Sequence, residues 1–169
     1  RLAVSPARIG QLEKRGRHQL QVLMIDERFW PVAWACHEVR WRLGAMFPVD
    51  ELHDDPLGRM LLDEAHDHPA ERRQLVLHLL GVSQVDQWVG SSHAPFPGNE
   101  AARARVADPQ GVIGPIGTAA DKVADLGIER RFALQWLKSD SGIREIYGCF
   151  VRFDGSTVER ATAVLSASV

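Results

Sequence analysis

Arg131, Gln135 and Lys138, inside the stretch IERRFALQWLKSD, recur at the spacing of one face of a helix, with Arg130 beside it. Guanidinium and amide groups so spaced offer the donors and acceptors that read base edges in a DNA major groove, and a neighbouring lysine meets phosphate. Arg144 and Arg152 follow on a stretch that reads as a hairpin, placed for backbone or minor groove. A second basic set opens the chain, where Arg8, Lys14, Arg15 and Arg17 surround Gln11. A third cluster is of another kind. The segments ELHDDP and DEAHDHP bring His53, His66 and His68 among carboxylates, residue types that hold zinc or do acid–base work. On a helix His66 and His68 would point to different faces, so no two-His metal face forms, and a solvated acidic turn is the expectation. There is no Gly-rich phosphate loop, nucleophile elbow or paired catalytic carboxylate. The expectation is therefore a chain with no catalytic residue, cofactor or metal.

Those side chains need a scaffold, and the composition supplies one. The 169 residues are 45% hydrophobic and 25% charged, as in a globular domain or a few small ones. No apolar run is long enough to span a membrane, and no secretion leader is visible. Cys36 and Cys149 match no metal or redox spacing, which fits a reducing cytoplasm. The first residue, Arg1, is not Met, so the chain is expected to be a piece of a longer protein. A net charge of −2 argues against coating nucleic acid without regard to sequence. Acidic residues gather between Asp50 and Glu71, so nucleic acid would be met towards the two ends.

The first helix is expected from Val4 to Ile25, capped by Ser5 with Pro6 at its first position and striped by Ile9, Leu12, Leu20 and Leu23. A second runs from about Glu27 to Leu43, stopped by Gly44, with Trp30, Trp34 and Trp41 expected in core or inter-domain packing. After an extended link at GAMFPVDEL, helices are expected at about 57–67 and 69–80. VSQVDQWVGS reads as a strand, and SSHAPFPGNE as a boundary loop. The remainder reads as helix, strand, helix, turn, helix, hairpin and closing helix, the winged-helix plan. Ile128, Phe132 and Trp136, at i, i+4 and i+8, should face inward together. Residues 29–90 read as an earlier, worn copy of the same plan.

The opening segment VSPARIGQLEKRG, through Val4-Ser5, Arg8-Ile9, Gln11-Leu12-Glu13 and Lys14, resembles the recognition half of the helix-turn-helix in region 4 of bacterial sigma factors. The resemblance implies a helix in the major groove. Pro6, Ala7 and Gly10 stand where that family carries base- and phosphate-reading side chains, so this segment should contribute charge and little sequence choice. The ending, with Gly114-Pro115, Leu126-Gly127-Ile128 and Gly155-Ser156, is similar to the HARE-type winged helices of large actinobacterial sigma-like proteins.

The expected fold is mainly α: a helix-turn-helix remnant followed by one or two winged-helix units with short β-hairpins. The expected domains are 1–28, 29–92 and 99–169. The expected function is DNA binding of a transcription-regulator kind, with double-stranded DNA as partner. The alternative is a docking module for RNA polymerase or for another copy of the chain. A metal-dependent hydrolase built on His53, His66 and His68 is the remote third.

Overall fold

The computed structural model describes residues 6–63 and 68–169. It is mainly helical, with two small antiparallel sheets among the described residues. No helix among them is long and apolar enough to cross a membrane. The helices are α1 (Pro6–Ile25), α2 (Trp30–Leu43), α3 (Val49–Asp54), α4 (Pro56–Leu62), α5 (Pro69–Leu79), α6 (Glu100–Val106), α7 (Ile116–Ala124), α8 (Ala133–Ser139) and α9 (Thr157–Ala167). The strands are β1 (Met46–Pro48), β2 (Ser83–Val85), β3 (Trp88–Gly90), β4 (Val112–Pro115), β5 (Ile143–Ile146) and β6 (Cys149–Arg152). Single 3-10 turns, Glu27–Phe29 and Arg130–Phe132, lead into α2 and α8.

The chain forms two compact units, Arg1–Trp41 with His53–Gly81 and Arg42–Leu52 with Val82–Val169. The loop SSHAPFPGNE, read from sequence as the boundary, lies inside the second.

In the first unit Asp26 begins the second helix by accepting from the Arg28 amide at 3.0 Å, and α4 packs on α5. Ala35, Cys36 and Val39 of α2 are buried, as are Leu61, Leu62, Val76 and Leu77. Arg72 fastens the α4–α5 pair by donating to the Leu61 carbonyl at 2.9 Å. An apolar cleft of about 860 Å³ is lined by Leu20, Leu23, Phe29, Met60, Leu75 and Leu79. Two of the four stripe residues expected in α1 thus face this cleft.

Three sequence expectations need correction here. Trp30, Trp34 and Trp41 do not pack into a core: they are 59%, 57% and 75% exposed. The buried side of α2 carries Ala35, Cys36, Val39 and Leu43, and the tryptophans lie on the opposite side. The helix expected to reach 67 stops at Leu62, because Asp63 takes a left-handed conformation (φ 42°) and its amide closes on the Arg59 carbonyl. The stretch VSQVDQWVGS is a hairpin and not one strand, turning at Asp86 with φ 52°. The cap expected at Ser5 lies outside the described residues, as does His66.

In the second unit the first sheet has the order β1-β3-β2, and the second has the order β4-β6-β5. Each therefore places its first strand beside its last. Phe47, Trp88 and Val89 are buried in the one, and Ile113, Phe150 and Val151 in the other. Helix α9 covers β4 and β6.

Candidate nucleic-acid interface

The residues from Asn99 onward build a small helical scaffold on the β4-β6-β5 sheet. Asn99 starts α6 by accepting from the Ala102 amide at 3.2 Å. Asp108 then folds the chain back, accepting from the amides of Gln110 and Val112 at 2.9 and 2.8 Å, which aims β4. Helix α7 packs on α8, and the chain turns between them at Gly127, where φ is +87°. Ser156 and Glu159 close a reciprocal capping box at the start of α9.

Ile128, Phe132 and Trp136 are buried together, as their spacing requires. The Trp136 indole N–H donates to the Pro95 carbonyl at 2.8 Å, so the ring's one polar atom is satisfied inside the core. That fixes the phase of the segment 130–139. Arg130, Arg131, Gln135 and Lys138 are consequently exposed. The Arg131 guanidinium stacks over the Phe132 ring at 4.5 Å, donates to the Arg42 carbonyl at 3.2 Å and lies 3.8 Å from the Glu51 carboxylate. Arg130 pairs with Asp121 at 3.2 Å, and Lys138 lies 4.0 Å from Glu145 on β5. Leu134 stands part-exposed among them.

On the hairpin Arg144 is exposed. Arg152 is committed elsewhere: it donates to Asp154 at 2.5 Å and lies 3.4 Å from Glu100. Both carboxylates favour its charged form, so it is part of the scaffold. In the first unit Arg8, Gln11, Lys14 and Arg15 are exposed on α1. Arg17 falls on the same helix, and its side chain lies outside what the structure describes.

Sequence reasoning missed a charged network that holds this scaffold together. Arg103, on the inward side of α6, is buried with Asp140. Its guanidinium donates to Asp140 at 3.0 Å and, by a short bond, to Asp154. Asp140 also accepts from the Gly98 and Gly142 amides at 2.6 and 2.9 Å. Every buried oxygen of that carboxylate thus has a donor, the condition for keeping a charge in a core. Gly142 is required by the same packing, since a Cβ there would stand 2.7 Å from the Arg103 side chain. The signal was present in EAARARV, where Arg103 falls with Ala102 and Val106 on the side that has to be buried.

Tyr147 was also missed. It tops the β5–β6 turn, 89% exposed, with φ +48°, and Gly148 follows at φ +79°. Two left-handed residues make a type I′ turn, a place where Asn-Gly is ordinary and a tyrosine is strained.

Of the cluster's three histidines only His53 and His68 are among the described residues. His53 lies on α3, His68 precedes α5, and no group of three or more metal-ligating side chains occurs among the described residues. No protein-family model, no curated protein and no solved structure matches the chain.

Proposed function

We propose that this chain binds double-stranded DNA through a winged-helix unit spanning 99–169, with the segment 130–139 in the major groove and the β5–β6 hairpin as the wing. One observation carries the reading. Burial of Ile128, Phe132 and Trp136 leaves Arg131, Gln135 and Lys138 outward together, a basic and amide face at the recognition position. Element order agrees with it, as does a sheet in which the strand between the helices, β4, pairs with the last strand. The ion pairs on this face are exposed and worth about 0–1 kcal/mol each, so phosphate can replace the carboxylates. Exposed Arg8, Lys14 and Arg15 on α1 add charge without base choice, in keeping with the likeness of that segment to sigma region 4. In this reading the protein is a regulator and not an enzyme, working in the cytoplasm.

The test is retention of a genomic DNA pool by the intact protein at two salt concentrations, followed by sequencing. The Arg131→Ala/Gln135→Ala variant should lose sequence preference at a cost of about 1–3 kcal/mol per residue. Unchanged binding by that variant would overturn the proposal.

A second reading follows from Leu134, which is 42% exposed amid the charged face. An apolar side chain inside a ring of charge suits docking on a protein such as RNA polymerase. Under that reading Leu134→Glu abolishes co-purification with polymerase and leaves DNA retention unchanged.

A further inference from the structure

Two buried tryptophans of the second unit differ in what their indole N–H meets. That of Trp136 donates to the Pro95 carbonyl. Trp88, on β3, is 1% exposed, and its N–H has no acceptor among the described residues. A buried donor has given up its bond to water, so folded proteins nearly always supply another acceptor. The Trp88 indole borders a cavity of about 420 Å³, lined also by Asp86, Gln87, Pro97, Ser139 and Ser141. The acceptor for this N–H belongs in that cavity.

The walls are fixed before any ligand arrives. The Val49 amide donates to the Gln87 carbonyl at 2.8 Å, and the Gln87 side chain donates to the Ser139 hydroxyl at 2.6 Å. That hydroxyl donates in turn to the Gln135 carbonyl at 2.7 Å. The β2–β3 turn and the end of α8 are thus tied together. Gly98, which also lines the cavity, is held by its amide bond to Asp140 at 2.6 Å. A preformed cavity of this volume lies in the lower part of the range of small-molecule sites.

Charge selects the occupant. None of the residues that line the cavity is basic, and Asp86 is the one acid among them. Asp86 is exposed, and the bond from the Gln84 side chain, at 2.6 Å, goes to its main-chain carbonyl. An anion entering the cavity would meet that carboxylate as a like charge, whereas a cation is drawn to it. We propose that the cavity binds a small organic cation that also carries a carbonyl group, such as the amide of an amino acid. The carbonyl oxygen accepts from Trp88 Nε1, and the cationic end lies against the Asp86 carboxylate. The site takes no phosphate, and it stands whether or not the chain binds DNA.

The test is a titration of the whole, isotope-labelled chain with argininamide, followed by NMR through the indole N–H signals of its five tryptophans. So small a ligand binds at about millimolar strength, so the titration runs to about 20 mM. The Trp88 signal, identified by its loss in Trp88→Phe, should move downfield and saturate as its proton gains an acceptor. N-acetylglutamate, which offers a carbonyl with negative charge, should leave that signal in place. Asp86→Asn keeps a residue that tolerates the left-handed turn, so the melting temperature should hold. The same variant should bind argininamide about tenfold more weakly and lose most of the salt dependence of binding. Should Trp88→Phe fail to fold, sequential assignment identifies the signal and the Asp86→Asn comparison decides. A Trp88 signal unmoved by argininamide overturns the proposal. An equal response to N-acetylglutamate, or full affinity in Asp86→Asn, overturns it as well.

Discussion

Tyr147 occupies a backbone conformation that suits asparagine, at a position where its ring is almost wholly in solvent. Nothing in its own packing repays that strain, which for a bulky residue costs about 1–3 kcal/mol. Tyr147→Asn should therefore raise stability by about 1 kcal/mol in a urea melt, and a fall would mean the turn is not strained. If the hairpin serves as a wing, the same variant should bind DNA less well. Gly142 shows the opposite logic. Gly142→Ala drives a methyl group into the Arg103 guanidinium and should cost about 3 kcal/mol, the scale of breaking a buried ion pair. A cost near zero would show that Arg103 can move aside. Asp154 adds a pH dependence. Its shielding opposes ionisation, but hydrogen bonds from Arg152 and Arg103 outweigh that and hold its carboxyl below the usual carboxylate range. A group depressed in the folded state contributes stability that is complete above its unfolded pKa, about 3.9, and is lost as pH falls through the folded value. Asp154→Asn should accordingly flatten the loss of stability below about pH 4 that the parent chain shows. An unchanged acid profile would remove Asp154 from the account.

At the scale of elements, what could be read from sequence was what neighbouring residues decide. The turn at Gly127 and the inward set Ile128, Phe132 and Trp136 each rest on local spacing, and each stands in the structure. The outward face of 130–139 was legible for the same reason. Its ties to Arg42 and Glu51 were not, since nothing near Arg131 in sequence announces them. Arg103 was overlooked because its partners stand far along the chain, at Asp140 and Asp154. The tryptophans of α2 were misplaced for another reason. Apolarity says that a side chain gains from cover, but not on which side of the helix the cover lies. The segment 130–139 yields a sharp expectation: Trp136→Ala should cost about 3–5 kcal/mol, losing both a large buried ring and the bond to Pro95. A smaller loss, with the outward face still binding DNA, would separate that face from the core that is held to orient it.

For the whole molecule, the composition of the second unit constrains how the chain can be cut. The loop before Asn99 invites truncation there, yet the Pro95 carbonyl and the Gly98 amide belong to bonds made by Trp136 and Asp140. A fragment 99–169 should consequently melt well below a chain that retains Val82 onward together with Arg42–Leu52, as thermal denaturation will show. Equal melting temperatures would make the earlier stretches dispensable.

The division of that unit between two stretches of chain also orders events during synthesis. Strand β1, with the apolar Met46 and Phe47, leaves the ribosome long before β3, its partner in the sheet. At about 5–20 residues per second the wait for Trp88–Gly90 lasts about 2–8 s. Through that interval an unpaired, greasy edge is open to solvent, while the residues that must cover it have yet to be translated. Slowed translation across His53–Gly81 should thus favour inclusion bodies, and a holdase that recognises the segment around Phe47 should favour recovery of folded chain.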